Sequence, residues 1–134
     1  VAEAEAEAPQ GGVEHEVERR GEGLVARLNQ APPENFCRPA VDPMLRSAAG
    51  ACEGRLLAVI LTGMGKDGAQ GLLAMRQAGA RTLGQDEATS VVYGMPRAAQ
   101  EIGAVERQLP LHRLTPAILD ACAASAQSPA SRTA

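Results

Sequence analysis

The stretch Leu61-Thr-Gly-Met-Gly-Lys-Asp-Gly-Ala-Gln-Gly71 sits between two unlike patterns, and its reading decides the fold. Before it, Arg55-Leu-Leu-Ala-Val-Ile-Leu61 is an almost continuous apolar run, the mark of a strand covered on both faces. After it, Ala69-Gln-Gly-Leu-Leu-Ala-Met-Arg-Gln-Ala78 places Leu72 and Met75 at helical spacing, with Gly79 at the closing position. A strand, a glycine-rich loop and a helix in that order make the first half of a βαβ unit. In parallel sheets, ligands and reacting groups gather in loops at the C-terminal ends of the strands, and Asp67 stands in such a loop.

The same alternation continues outward. Ala80-Arg-Thr-Leu-Gly-Gln85 is a short strand, Pro96 opens a helix containing Ala98, Ala99 and Ile102 that Gly103 closes, and Ala104-Val-Glu-Arg-Gln-Leu109 is a further strand. Thr115 and Pro116 predict the start of a last helix, with Ile118, Leu119, Cys122 and Ala123 on its buried side. On the N-terminal side, Asp42 followed by Pro43 predicts an N-cap and first helical position, with Leu45, Ala48, Ala49 and Cys52 facing inward. Ala31 to Val41, with Pro32, Pro33 and Pro39, reads as loop. Val13 to Arg20 and Leu24 to Gln30 alternate apolar and polar residues around Gly21-Glu-Gly23, a hairpin signal. The expected architecture is an α/β, doubly wound, mostly parallel sheet.

Composition narrows the function. The chain has 134 residues, one domain's worth, and its only large aromatics are Phe36 and Tyr93, so aliphatic residues must form the core. Its net charge of -3 comes from an acidic start: residues 1–23 hold seven Glu against Arg19 and Arg20, while the body is nearly balanced. No clustered positive charge marks a nucleic-acid or anionic-membrane surface. Cys37, Cys52 and Cys122 are odd in number and widely spaced, without a zinc pattern, and read as thiols in a reducing compartment. No apolar run approaches about 18 residues, so no membrane insertion and a cytoplasmic location are expected. Residues 1–23 divide off as an acidic low-complexity leader and the start of the hairpin, 24–124 as the folded body, and 125–134 as a mobile tail. Val1 at the first position points to a trimmed or incomplete chain.

Two chemistries fit the glycine loop. Gly63, Gly65 and Gly68 match G-x-G-x-x-G, with Asp86 and Glu87 about 20 residues onward, which is a dinucleotide pattern. Against it, Asp67 and a pyrophosphate would share one helix N-terminus. Two like unit charges at about 4 Å and an effective dielectric near 20 repel by roughly 4 kcal/mol. Alternatively the glycines allow a sharp turn that presents the Asp67 carboxylate, either to orient a histidine for acyl transfer or to cap the helix that follows.

Longer stretches favour the first of these carboxylate roles. Arg38-Pro-Ala-Val-Asp-Pro-Met-Leu-Arg-Ser-Ala-Ala49 and the run from Leu57 to Val105, with its LTGMGKDG and VVYGMPRAA motifs, resemble the C-terminal part of the catalytic domain in chemotaxis protein-glutamate methylesterases, the CheB family. The similarity is legible over residues 24–119. Members are doubly wound α/β hydrolases that cleave glutamyl methyl esters on chemoreceptors, and some deamidate receptor glutamines. The resemblance implies that Asp67 is the carboxylate of a Ser-His-Asp triad and that the backbone N–H of Met64 helps bind the oxyanion. It implies no metal or organic cofactor. The implied partners are methylated cytoplasmic segments of chemoreceptors, a receiver domain and the N-terminal half of the catalytic domain.

The family's nucleophilic Ser, in a Gly-rich turn, and its base, in a Gln-His stretch, both precede the RPAVD segment, and neither motif is in this sequence. His15, His112, Ser47, Ser90, Ser125, Ser128 and Ser131 all lack that context. Cys37 and Ala40 stand where many members carry His and Ser, and Lys66 where Asn is frequent. The chain alone is therefore expected to be inactive. A non-catalytic interaction module derived from such an enzyme is the alternative.

Overall fold

Three short parallel strands pair in sequence order, the first two each followed by a helix that carries the chain back to the same end of the sheet. In the computed structural model, which describes residues 12–126, these are β3 (Leu57–Ile60), β4 (Arg81–Gln85) and β5 (Arg107–Leu109), in order β3-β4-β5. Leu57 pairs with Arg81 and Leu83 with Arg107, both parallel. The helices are α1 (Val41–Ala51), α2 (Ala69–Gln77), α3 (Met95–Glu101) and α4 (Leu111–Ala126). Ahead of them, β1 (Glu14–Arg20) and β2 (Gly23–Asn29) form the antiparallel hairpin read from the sequence, turning through Gly21 at φ +60°.

The pleat distributes side chains to two unequal cores. Ala58 and Ile60 face a larger cluster with Ala49 of α1, Ala69, Leu72 and Met75 of α2, and Ala99 of α3. Leu57, Val59 and Leu83 face the other side, where Leu114, Ala117 and Ile118 of α4 cover them. Helices on both faces make the sheet doubly wound, and the core is aliphatic throughout. Phe36 is fully exposed.

Three helices end in the same way. After α2, Gly79 takes φ +99°, its N–H donates to Arg76 O, and the Ala80 N–H donates to Met75 O. Gly103 repeats this after α3 and Glu53 after α1, giving Schellman motifs at all three. Gly79 thus lies one position past the C-cap, Ala78.

Two helix starts differ from the sequence-based expectation. Asp42 is not the N-cap of α1. Ala40 holds that position at φ -110°, ψ 155°, and Asp42 lies inside the first turn with its carboxylate turned to another helix. In α4, the first turn begins at Leu111, not Thr115, because the Leu111 N–H is capped from a distant loop by Thr89 Oγ1 at 3.0 Å. Pro116 therefore falls within the helix. The packed face of α4 is Leu114, Ala117 and Ile118, so Ile118 packs as read while Leu119, Cys122 and Ala123 are exposed. The acidic leader up to residue 11 and the tail from 127 onward lie outside the described residues.

Candidate active-site rim

The loop after β3 is shaped by contacts with the loop after β4. Gly63 N–H donates to Val92 O at 3.0 Å, while Gly94 and Met95 N–H both donate to Gly63 O. A Cβ at Gly94 would lie 2.7 Å from Gly63 O, and one at Gly63 would lie 2.4 Å from Met95 Sδ. At Gly94 the obstructing atoms are backbone and only glycine permits the approach, whereas at Gly63 the Met95 side chain would have to move. Gly65 and Gly68, at φ +94° and +93°, then turn the chain into α2. This is the physical content of the paired LTGMG and VYGMP motifs: two loops pressed together at the C-terminal rim of the sheet.

Buried Gln85, at the end of β4, ties both loops to the sheet. Its Oε1 accepts from Thr62 N–H at 2.8 Å and its Nε2 donates to Thr89 O at 2.8 Å. Gln85→Met removes both partners at similar size and strands a donor and an acceptor. Chemical denaturation is expected to show a loss of about 2–4 kcal/mol.

On this rim the Asp67 carboxylate accepts three hydrogen bonds. Oδ2 accepts from Val41 N–H at 2.7 Å, and Oδ1 from Asp42 N–H at 3.2 Å and Asn35 Nδ2 at 2.9 Å. Asp67 thus caps a helix, but not the one that follows it. It caps α1, whereas α2 has Gly68 at its N-cap with no side-chain bond.

Asp42 returns the arrangement. It is buried, its Oδ1 accepts from Gly71 N–H in the first turn of α2 at 2.7 Å, and its Oδ2 accepts from Asn35 Nδ2 at 2.7 Å. The two helix starts are cross-capped, each by a carboxylate from the other segment, with negative charge at both positive ends.

The donors at the start of α1 can be accounted for completely. Ala40 N–H donates to Glu14 Oε2 at 3.2 Å, Val41 and Asp42 N–H donate to Asp67, and Pro43 has no N–H. A Ser at position 40 would reach for the Asp42 N–H, already occupied, or the Pro43 nitrogen, which has no proton. Ala40 as N-cap is therefore tolerated.

The same geometry disfavours a phosphate at the glycine loop, since the Gly71 N–H of α2 is already engaged by Asp42 and the crest carries Asp67. Asp86 is also occupied locally: its Oδ1 accepts from Thr89 N–H and Oγ1 at 3.0 and 2.6 Å. Met64 lies three residues before Asp67. It is 86% exposed, and its backbone N–H donates to no group among the described residues. Away from this loop, hydrogen bonds from the Arg81 guanidinium hold the Glu106 carboxyl below its usual range.

The other candidate nucleophiles and bases have different tasks. Ser47 Oγ donates to Met44 O and accepts from Val17 N–H, fastening the hairpin to α1, while Ser90 Oγ donates to Asp86 O. His15 is exposed on β1, opposite Leu28, and His112 is exposed on α4. Asn35, Gln85 and Glu14 were not singled out in the sequence. A signal for Asn35 existed in its neighbourhood, a turn-forming residue just ahead of RPAVD.

A parallel α/β sheet with a fixed carboxylate and an unengaged N–H on one rim loop belongs to the class that keeps its reacting groups at the strands' C-terminal ends. The chain belongs to the CheB methylesterase family, whose profile matches residues 5–118. It is 61% identical over 109 residues to "Protein-glutamate methylesterase/protein-glutamine glutaminase 2" of Pseudomonas aeruginosa, a match covering 81% of this chain and 31% of that protein. It is 55% identical over 114 residues to "Protein-glutamate methylesterase/protein-glutamine glutaminase 1" of Caulobacter vibrioides, covering 85% of this chain and 33% of that one. The crystal structure of the Thermotoga maritima CheB methylesterase catalytic domain matches with a TM-score of 0.78 at 32% identity, covering 82% of this chain and 58% of that domain. The chain thus spans about a third of the length of these curated relatives. Among the described residues no helix is long and apolar enough to cross a membrane.

Proposed function

We propose that this chain supplies the triad carboxylate, Asp67, and one oxyanion donor, the Met64 N–H, to a protein-glutamate methylesterase whose serine and histidine come from sequence outside it. The observation that carries this reading is the Asp67 carboxylate fixed by three donors on the β3–α2 loop, three residues from an unengaged backbone N–H.

The seryl Oγ attacks the ester carbonyl of a methylated glutamyl side chain as the histidine takes its proton. Asp67 orients the imidazole and stabilises the imidazolium. The Met64 N–H donates to the tetrahedral oxyanion. Collapse expels methanol, which takes up the proton from the histidine. Water, activated by the same histidine, then releases the glutamate carboxylate and restores the serine. A glutamine side chain enters the same sequence and loses ammonia. The substrates are methylated cytoplasmic segments of chemoreceptors. The N-terminal half of the domain completes the site in the cytoplasm, and a receiver domain regulates it.

Two preparations test this reading: the chain alone, and a completed domain in which it is fused to the N-terminal part of the Pseudomonas aeruginosa relative's domain. Methanol release from methylated receptor is expected only from the completed domain. Release by the chain alone, abolished by Ser90→Ala or His112→Ala, would overturn the assignment. A folded completed domain that binds receptor without releasing methanol would establish the non-catalytic interaction module instead.

A further inference from the structure

We propose that Asn35 is a positioning residue for catalysis, fixing the Asp67 carboxylate for the histidine it orients; this rests on the triad role of Asp67 proposed above. Asn35 Nδ2 donates to Asp42 Oδ2 at 2.7 Å and to Asp67 Oδ1 at 2.9 Å. Both neighbours are carboxylates, so only the NH2 side of the amide can face them, and both of its protons are engaged. Asn35 is thus a neutral link between two like charges. It joins the cap of α1 to the cap of α2.

The backbone around Asn35 is arranged for this task. Glu34 and Cys37 exchange backbone hydrogen bonds at 3.1 and 2.8 Å, closing a two-residue turn in which Asn35 and Phe36 take φ +53° and +63°. Positive φ is uncommon outside glycine, and asparagine is among the residues that tolerate it. The turn leaves Phe36 fully exposed while directing the Asn35 amide inward.

The other two bonds to Asp67 both come from α1, through Val41 and Asp42 N–H. They tie the carboxylate to one helix turn. Asn35 adds a hold from a different segment and supplies the donor that lets Asp42 and Asp67 lie together. Without it the two carboxylates repel across the gap, and Asp67 can turn about its α1 anchors. Turnover is sensitive to such a change because a misplacement of about 1 Å can cost about 10²-fold.

The test uses the completed domain and a double-mutant cycle. Asn35→Gly removes the amide yet accepts positive φ without strain, so it isolates the side chain. Turnover on methylated receptor is expected to fall about 10–100-fold with KM nearly unchanged. In an Asp67→Ala background the same substitution is expected to cause no further loss, because its effect passes through the carboxylate. Should Asn35→Gly fail to fold, Asn35→Ser serves in its place, removing the amide donors without adding a third charge beside Asp42 and Asp67. Unchanged turnover in the folded variant, or losses that multiply with those of Asp67→Ala, would overturn the proposal. Undiminished turnover in Asp67→Ala alone would instead overturn the triad reading.

Discussion

Asp67→Asn in the completed domain is expected to lower turnover by up to about 10⁴-fold, with only a modest change in KM. An amide offers the histidine a donor on one side, favours the wrong tautomer, and removes the charge that stabilises imidazolium. The structure adds a second expectation. Both oxygens of Asp67 accept, Oδ2 from Val41 N–H and Oδ1 from Asp42 N–H and Asn35. Whichever way an amide is turned at position 67, its NH2 meets at least one of these donors head on. Stability should therefore fall as well, by about 1–3 kcal/mol for a donor left without a partner. Turnover and melting temperature on the same folded variant separate the two roles. A residue that only caps α1 loses melting temperature and keeps turnover, and that outcome would take Asp67 out of the mechanism.

What was legible in the sequence was local. The apolar run into β3, the glycines of the loop and the helical spacing of Leu72 and Met75 depend on neighbours along the chain, and the sheet order follows from their alternation. Helix ends were legible for the same reason, since Gly79 and Gly103 close α2 and α3 with their own backbone. Helix starts were legible in part: Pro96 marks the first turn of α3 and α2 begins at Ala69 as read, but two others were misplaced. Asp42-Pro43 and Thr115-Pro116 carry the residues of a good start, yet α1 is capped by Asp67 and Glu14, α2 by Asp42, and α4 by Thr89. Each of these caps comes from more than twenty residues away, so a local cap signal points to the wrong residue. Asn35 and Gln85 were not legible for the same reason, because each joins segments that become neighbours only when the sheet forms. The family motifs marked the rim. They could not say that Asp67 is held by a helix preceding it in the chain.

Gly71→Ala is expected to destabilise the protein even though alanine is the better helix former. In an exposed helix interior the exchange should gain up to about 1 kcal/mol. Gly71, however, is where α2 meets α1. An added Cβ would lie 2.7 Å from Leu45 Cβ and 3.0 and 3.1 Å from Asp42 O and Cα. These atoms are backbone or one bond from it, so no rotamer change relieves the overlap, and the two helices must separate. Overpacking of this kind costs about 1–3 kcal/mol. Separation also stretches the 2.7 Å bond from Gly71 N–H to Asp42 Oδ1, leaving a buried carboxylate short of a donor, for about 1–3 kcal/mol more. The net loss should reach about 2–4 kcal/mol. Gly50→Ala on α1 is the control, because a Cβ there meets nothing within 4 Å and the same exchange should raise the melting temperature. If Gly71→Ala melts as high as Gly50→Ala, α1 and α2 do not meet as closely as described. The crossed caps would then be too loose to hold Asp67.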